Sequence, residues 1–390
     1  MKILATSDWH AHNFKEFSKT LSVCWNEDSL AYEITDPHNP DSQEMNSRLF
    51  NILSGLCQMR TYCVSNDITD ILFGGDMFHH RGTIDVTVFN PISQVLGTFA
   101  HLGVHIHAIA GNHDQVDNSV SPQSALYGLR KFIHVIEQPE KFILGDTEVV
   151  ALPYSKDKQF ILSTLKQLRA QCENPTQAIL LCHLGIDGGL VGSGMYAMHD
   201  EFTLDDLMSD QWKYVVVGHY HRPQILSYNS VYCGTPVQNN FGDEMLGPDG
   251  YNGFFVVDLD RRWDVQFVSI IAPRFVTLSS AKELEQLGTD FVKNNFVRVK
   301  VKASGDKSGD KLEEIQGTLE STLGDDAQCI RLELEKDYSV AHRSGISLTQ
   351  AYDDVIKTFA QENWKDNSTL PMVVAQGIEI LREALSGGTK

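Results

Sequence analysis

Residues 2–10 read KILATSDWH, a short apolar run that ends in a carboxylate and an imidazole. A run of this length predicts a buried strand, and the polar residues after it predict a turn at the carboxyl end of that strand. The same pattern occurs four more times along the chain. The later runs end in Gly74-Gly75-Asp76, in Gly111-Asn112-His113-Asp114, in His183 and in Gly218-His219-Tyr220-His221.

Helical patterns separate several of these runs. Apolar residues recur at spacings of three and four over residues 49–59 and again over residues 161–168. Strands that alternate with helices predict an α/β fold. Because ligands of open α/β sheets bind at the carboxyl ends of the strands, we expect the five polar clusters to converge on one site.

In the later part of the chain, strand patterns no longer alternate with helix patterns. Apolar runs at 231–234, 254–259 and 265–271 follow one another without a helix, so we expect antiparallel strands that complete a second sheet. Strict alternation over 295–303 and helical periodicity over 312–323 predict a small β-α-β unit. Two amphipathic helices follow it.

These patterns divide the chain into three predicted parts. They are a core domain (1–273), an accessory domain (274–340) and a helical segment (348–386). Residues 22–46, called the insertion below, separate the first two polar clusters, and their role is left open.

Composition limits the function classes. The 390 residues include 32 basic and 51 acidic side chains, a net charge of −19, which argues against coating nucleic acid by bulk charge but not against a local site. Seven cysteines without paired spacing indicate reduced thiols. With no signal peptide and no apolar stretch of about 20 residues, we expect a cytoplasmic protein without membrane contact, in a bacterial cell or a phage-infected host.

Seven carboxylate, amide and imidazole side chains at the predicted strand ends form a candidate ligand set. They are Asp8, His10, Asp76, Asn112, His183, His219 and His221. This number suffices for two cations that share a carboxylate, and oxygen with imidazole favours manganese, iron or zinc. Two such cations about 3.5–4 Å apart promote in-line hydrolysis of a phosphoester. Each cluster alone is more often structural, but five polar clusters at buried strand ends are costly to desolvate without a function.

The ordered motifs resemble the calcineurin-like metallophosphoesterases. Within that superfamily, three segments are similar to the SbcD-type DNA repair nuclease subunits of bacteria, archaea, eukaryotes and phages. The segments are Gly75-Asp76-Met77-Phe78-His79, Gly218-His219-Tyr220-His221-Arg222-Pro223-Gln224 and Tyr232-Cys233-Gly234-Thr235-Pro236. The resemblance implies an α/β, two-sheet metallophosphoesterase sandwich flanked by helices, with a small α+β capping domain and C-terminal helices that bind a partner.

The resemblance also implies a role for each candidate. Asp8, His10, Asp76 and His221 would hold one divalent ion, and Asp76, Asn112, His183 and His219 would hold the other. Manganese is the preferred metal. His113 would contact the scissile phosphate and protonate the leaving oxygen. His79 stands where phosphatases of the superfamily carry an aspartate, so it favours a nuclease. Asp114 either orients His113 or caps a turn.

The implied activity is that of an exonuclease on duplex ends and an endonuclease on single strands. Its implied partners are DNA, an SbcC-like coiled-coil ATPase and a second copy of the chain. Residues 49–59 and 86–102 are candidate dimer helices, and each could equally pack on its own sheet. Arg298, Lys300 and Lys302 alternate along one predicted strand and form either a DNA-contacting ridge or a solvated face. The terminal helices either dock the ATPase or pack internally.

Two alternatives remain open at this stage. The chain could be a phosphoesterase of the same fold that acts on a phosphoprotein or a cyclic nucleotide, and His79 counts against this. It could instead be a non-catalytic scaffold, and the complete set of seven candidate ligands counts against that. His12 and His80 adjoin ligand positions and could assist the site, but we expect both to contact solvent.

Overall fold

The computed structural model describes most of the first 278 residues and two later strands. The described residues are 1–117, 123–192, 196–199, 201–244, 250, 252–261, 264–278, 294–303 and 329–336, with the single positions 283, 291 and 374. The chain divides into two compact units, residues 1–299 with 319–331 and residues 300–318 with 332–390. The candidate metal centre and the histidine pair discussed below lie in the first unit.

Several predictions fall largely outside the described part of the chain. The helix predicted over 312–323 lies outside it, and so do the helices predicted within 348–386 apart from position 374. The three predicted domains, 1–273, 274–340 and 348–386, therefore stay predictions.

Three α-helices and twenty strands are described. The helices are α1 (Ser47–Ser65), α2 (Val86–His101) and α3 (Lys158–Ala170). The strands are β1 (Lys2–Thr6), β2 (Thr20–Asn26), β3 (Ala31–Ile34), β4 (Gln43–Asn46), β5 (Asp70–Phe73), β6 (His105–Ile109), β7 (His134–Ile136), β8 (Glu140–Leu144), β9 (Thr147–Leu152), β10 (Ile179–His183), β11 (Leu190–Val191), β12 (Tyr196–Ala197), β13 (Tyr214–Gly218), β14 (Gln224–Ser227), β15 (Ser230–Tyr232), β16 (Gly253–Asp258), β17 (Asp264–Ser269), β18 (Phe275–Leu278), β19 (Phe296–Ala303) and β20 (Cys329–Lys336). Short 3₁₀ turns cover Ala125–Leu129, Pro175–Gln177 and Ser209–Gln211.

Two six-stranded sheets face each other. The first has the order β17-β16-β1-β5-β6-β7 and the second the order β14-β15-β13-β10-β9-β8. Strands β1, β5, β6 and β7 are parallel in the first sheet, as are β9, β10, β13 and β15 in the second. Apolar residues of both sheets, among them Leu72 and Ile109 from one and Leu181 and Val216 from the other, form one buried cluster. The predicted α/β two-sheet sandwich is confirmed.

The later strands are arranged differently from the prediction. Strands β16 and β17 are antiparallel as expected, but they extend the first sheet through β1, and β15 is parallel to β13 in the second. In β16, Phe255 and Val257 face the other sheet, and Phe254 and Val256 face the helices. A strand buried on both faces has no alternation, so its sequence does not indicate which sheet it joins.

Helices cover the outer faces of both sheets. The predicted apolar face of α1, residues 49–59, is buried with α2 against the first sheet, and α3 packs on the second through Ile161 and Leu165. The side chain of Asn46 caps α1 by accepting the backbone N–H groups of Arg48 and Leu49. Among the described residues, no helix combines the length and the apolar character that a membrane crossing requires.

The insertion over residues 22–46 is an ordered element. Strands β3, β2 and β4 form a small antiparallel sheet that contacts α1. Arg60 of α1 is only 4% exposed and donates hydrogen bonds to the carbonyl oxygens of Ser29 and Leu30 and to the hydroxyl of Thr98. The insertion is therefore anchored to the helical layer of the first sheet.

Candidate metal centre

The polar clusters that end β1, β5, β6, β10 and β13 lie together at one edge of the sandwich. The amide of Asp8 donates to the carbonyl of Gly75 (2.8 Å), and the amide of His10 donates to that of Asp76 (3.0 Å). The second sheet meets the first here, because Nδ1 of His183 lies 2.6 Å from the carbonyl oxygen of Gly74. The expected convergence of five strand ends is what the structure shows.

The first group of candidate ligands surrounds His10. Ligand atoms of Asp8, His10 and His221 all lie within 4.8 Å of one another. Nε2 of His10 is 3.9 Å from Oδ1 of Asp8 and 3.7 Å from Oδ2 of Asp76. The structure thus brings together the four residues assigned to the first ion.

The second group lies on the other side of Asp76. Oδ2 of Asp76 is 3.4 Å from Nε2 of His183. Oδ1 of Asn112 is 2.9 Å from that same nitrogen and 3.0 Å from Nδ1 of His219. Asp76 therefore lies between the two groups, as a bridging carboxylate must.

Unsatisfied buried atoms indicate that these residues suit cations. Asp8 and His10 are at most 1% exposed, yet Oδ1 of Asp8 and both ring nitrogens of His10 have no hydrogen-bond partner within the described part of the chain. A buried polar group without a partner costs about 1–3 kcal/mol. Burial also holds the pKa of His10 well below its usual value and lowers that of His219 to about 3, so both imidazoles are neutral, the form that binds metal.

The carboxylates and the remaining imidazoles are electrostatically coupled. Burial opposes ionisation of Asp76, but His183 and His10 outweigh it and lower the pKa of this carboxyl. Burial raises the pKa of Asp8. Burial disfavours the imidazolium of His183, yet the charge of Asp76 outweighs it and raises the pKa to about 9. Positive charge is therefore favoured beside Asp76.

The turns that carry the candidates have uncommon backbone conformations. Asp8 (φ +53°), His10 (φ +44°), Asp76 (φ +61°) and His219 (φ +113°) all lie at positive φ. Non-glycine residues there cost about 1–3 kcal/mol each and cluster at functional sites. Gly75 also has positive φ (+97°), and a Cβ on it would lie 2.6 Å from Nδ1 of His183. The close approach of the two sheets needs glycine at this position.

Asp243 is a site residue that sequence reasoning missed. Its Oδ1 lies 2.9 Å from Nδ1 of His221, and its Oδ2 accepts the amide of Asn239 at 2.8 Å. Burial disfavours the imidazolium of His221, but Asp243 outweighs burial and raises the pKa to about 9. A carboxylate on one ring nitrogen orients the other toward the site. No motif marks Asp243, which lies 22 residues after its partner.

The carboxylate of Asp114 ties two turns together. It accepts the backbone N–H groups of Asp76 (2.8 Å), Met77 (2.9 Å), Phe78 (3.2 Å) and Gly111 (3.0 Å). These bonds fix the turn after β5 on the turn after β6. Its role is structural, but it binds a turn 37 residues earlier rather than capping the next one.

His113 and His79 lie beside the first group. The amide of His113 donates to Oδ1 of Asp76 at 2.7 Å, and its Nδ1 lies 2.5 Å from the carbonyl oxygen of His79. Ligand atoms of His10, His79 and His113 lie within 4.8 Å of one another. Burial, followed by the charge of His113, lowers the pKa of His79 to about 4. Both predicted catalytic histidines therefore adjoin the candidate ligands.

Comparison with known proteins identifies the family. The sequence profile of the calcineurin-like phosphoesterases matches residues 1–249. The chain belongs to this family. Metallophosphoesterase YhaO of Bacillus subtilis (strain 168) is 23% identical over 252 residues, which are 62% of this chain and 59% of YhaO. Phosphoesterase 078R of Invertebrate iridescent virus 3 is 22% identical over 186 residues, which are 46% of this chain and 51% of the viral protein.

The chain thus spans between 51% and 59% of the length of these curated relatives. A solved structure of a dimetal phosphatase from Danio rerio is also similar, with 9% identity and a TM-score of 0.36, over 66% of this chain and 91% of that one. The family assignment rests on the sequence profile.

An open cavity adjoins the metal centre of this calcineurin-like phosphoesterase. It has a volume of about 250 Å³, and His219 and His221 form one wall of it. Tyr220, Arg222 and Glu244 also line it. Two of the seven candidate ligands, His219 and His221, therefore border an open space beside the centre.

Other candidates have different surroundings from those expected. His12 does not contact solvent: it is 1% exposed, its Nδ1 lies 2.6 Å from the carbonyl oxygen of His10, and its ring packs on Phe14. Burial lowers its pKa to about 3. His12 therefore contacts the turn after β1 from a buried position. No local sequence pattern reveals this burial.

The predicted basic stripe is only partly described. The guanidinium of Arg298 lies over the ring of Phe241, 4.4 Å from its centroid, and donates to the hydroxyl of Thr277. Lys300 is half-buried, and the side chain of Lys302 lies outside the described part of the chain. Arg298 thus also has a packing role within the first unit.

Proposed function

We propose that this chain is the DNA nuclease subunit of an SbcCD-like repair or recombination complex, with exonuclease activity on duplex ends and endonuclease activity on single strands. The observation that carries the proposal is the pair His79 and His113 beside the two ligand groups. In addition, the segments around Asp76, His219 and Gly234 resemble SbcD-type subunits.

The seven side chains of the centre would hold two divalent cations, with manganese as the preferred metal. One set is Asp8, His10, Asp76 and His221, and the other is Asp76, Asn112, His183 and His219. When bound, two such cations stabilise charge on phosphoryl oxygens and lower the pKa of water. Phosphodiester hydrolysis needs both effects.

His113 has the geometry of a general acid. Its Nδ1 donates to the carbonyl of His79, so a further proton on the ring resides on Nε2. Its backbone amide donates a hydrogen bond to the carboxylate of Asp76, and this bond holds His113 in a defined position beside the centre. Nε2 is therefore the atom that delivers a proton to the departing oxygen of the phosphodiester.

His79 suits a polyanionic substrate. An aspartate in this place would put a negative charge next to His10 and His113, and it would repel a neighbouring phosphate of a DNA strand bound there. An imidazole adds no such charge and can donate a hydrogen bond to a phosphate oxygen instead. This difference supports DNA over a phosphoprotein or a cyclic nucleotide as the substrate.

A net charge of −19 disfavours long-range attraction of DNA. Affinity for the phosphate backbone therefore has to come from basic side chains near the site or from a partner subunit. We propose Arg298, Lys300 and Lys302 as one local contact. The larger contribution would come from an SbcC-like ATPase bound through residues 348–386 and from a second nuclease subunit packed through α1 or α2.

The test compares three substrates with the full-length chain, with and without the ATPase. They are linear duplex DNA, a small phosphodiester and a phosphopeptide, each assayed with manganese. We expect DNA to be degraded and His113→Ala to slow degradation by about 10²–10⁴-fold, the usual contribution of a general acid. His38→Asn, which changes an exposed histidine elsewhere, is the control and should keep full activity.

The other outcomes separate the alternatives. Intact DNA together with a hydrolysed phosphopeptide or small phosphodiester would show that the nuclease assignment is wrong. If no substrate is hydrolysed although manganese binds, the chain is a scaffold of the same fold.

A further inference from the structure

A second cluster of titratable side chains lies away from the metal centre, on strands β6 and β7. These parallel strands place His107 directly opposite His134. The two Nδ1 atoms are 3.2 Å apart, and the ring planes are perpendicular at a centroid distance of 5.5 Å. The two imidazoles therefore present the same ring atom to each other.

A carboxylate lies on the far side of each ring. Nε2 of His107 is 2.9 Å from Oδ1 of Asp70, and Nε2 of His134 is 3.1 Å from Oε1 of Glu140. An ionised carboxylate only accepts hydrogen bonds, so each one places a proton on the Nε2 beside it. Each Nδ1 of a neutral ring then carries a lone pair, and the two lone pairs face each other.

No arrangement of protons on two neutral rings satisfies all three contacts. If one Nδ1 carries the proton and donates to the other, the Nε2 of the donor ring becomes an acceptor that faces a carboxylate. A cation between the two Nδ1 atoms resolves this conflict. Two bonds of about 2.0–2.1 Å to one tetrahedral zinc ion separate the ligand nitrogens by about 3.3–3.4 Å, close to the observed 3.2 Å.

The surroundings hold the rings and leave room for water. Phe142 of β8 stacks on His107 at 4.9 Å with an interplanar angle of 16°, and it meets His134 edge-on. The side chain of His107 is 15% exposed and that of His134 is 43% exposed, so solvent reaches one side of the pair. A carboxylate that fixes a ligand histidine through its second nitrogen is a recurrent feature of zinc sites.

This cluster is separate from the metal centre. Asp70 and His134 begin their strands, whereas the candidate catalytic ligands follow the carboxyl ends of β5 and β6. We propose that His107 and His134 bind a first-row transition-metal ion, with zinc as the best fit, through their Nδ1 atoms, with Asp70 and Glu140 orienting the rings and water completing the coordination. Such an ion would join β6 to β7 at the edge of the first sheet.

The test counts zinc bound to the full-length chain after equilibrium dialysis against buffered zinc. Wild type should hold one more ion per chain than His134→Asn. His38→Asn, an exposed histidine outside both clusters, should match wild type. Glu140→Gln keeps both imidazoles but removes one orienting charge, so it should need about 10–100-fold more free zinc to bind the same ion.

A second readout depends on stability rather than on counting. Because the ion binds only the folded chain, zinc should raise the unfolding temperature of wild type more than that of His134→Asn. Equal zinc counts and equal thermal shifts for wild type, His134→Asn and Glu140→Gln would overturn the proposal. One added proton, shared between the Nδ1 atoms of His107 and His134, would then be what satisfies the three contacts. If His134→Asn does not fold, the Glu140→Gln titration decides alone, and an unchanged zinc curve overturns it.

Discussion

Backbone strain and unsatisfied polar atoms occur at the same residues of the metal centre. Asp8 and His10 have positive φ, and they also carry the buried atoms without partners. Each of these two features lowers the free energy of unfolding by about 1–3 kcal/mol per residue. A cation bound beside Asp76 would offset this cost, since it would give the unsatisfied atoms of Asp8 and His10 a partner.

Asp243 allows a test of how the first ion is held. Asp243→Asn cannot accept both the amide of Asn239 and the ring N–H of His221, so the ring is held less firmly. We expect the manganese concentration for half-maximal hydrolysis of a small phosphodiester to rise by about 10–100-fold. The rate at saturating manganese should change far less.

Asp210→Asn is the matched control, because Asp210 is an exposed carboxylate outside the site. Its half-maximal manganese concentration should equal that of wild type. If Asp243→Asn also leaves that concentration unchanged, the carboxylate does not orient His221.

The candidate ligands could be found from sequence because each one lies at the carboxyl end of a strand or in the turn that follows it, and a strand end has a recognisable pattern. Asp243 could not be found, and neither could the partners of Asp114, since each carboxylate acts on residues distant in the chain through hydrogen bonds that no local pattern encodes. The predicted solvent contact of His12 is wrong because the burial of this side chain depends on the packing of Phe14 and His79 around it.

The helices and parallel strands of the core were predictable, but the place of each strand in a sheet was not. Apolar periodicity correctly located α1 and α3. Strand β16 could not be assigned to a sheet, because both of its faces are buried and its partner β1 lies more than 240 residues away in sequence. Only tertiary pairing decides such a case.

Helix α2 gives a test at this scale. Its N-cap Asp85 accepts hydrogen bonds from the amide (2.8 Å) and hydroxyl (2.7 Å) of Thr87 and from the side chain of Asn13 (2.7 Å). The hydrogen bonds from Thr87 are the main cause of the lowered pKa of this carboxyl. Asp85→Ala should cost about 1 kcal/mol of unfolding free energy at pH 7.

The cost should depend on pH. Since the pKa of Asp85 is lower in the folded chain than in the unfolded one, its stabilisation is present above the unfolded pKa of about 3.9 and is lost as pH falls through the folded pKa. Urea unfolding should therefore show the gap between wild type and Asp85→Ala narrowing below about pH 4. Asp85→Asn caps equally well without titrating and should lie near wild type at pH 7. A gap that stays constant with pH contradicts this account.

At the scale of the whole molecule, the packing of the two sheets explains how candidate ligands far apart in sequence come together. The two sheets meet at Gly74, Gly75 and His183, so residues from Asp8 to His221 share one edge.

The most direct test of the central claim is anomalous diffraction from crystals of the full-length chain soaked in manganese. We predict two manganese peaks at this edge of the sandwich, about 3.5–4 Å apart, with the carboxylate of Asp76 contacting both and the other six candidates divided between them. A single peak, or two peaks of which only one contacts Asp76, would contradict the two-metal account.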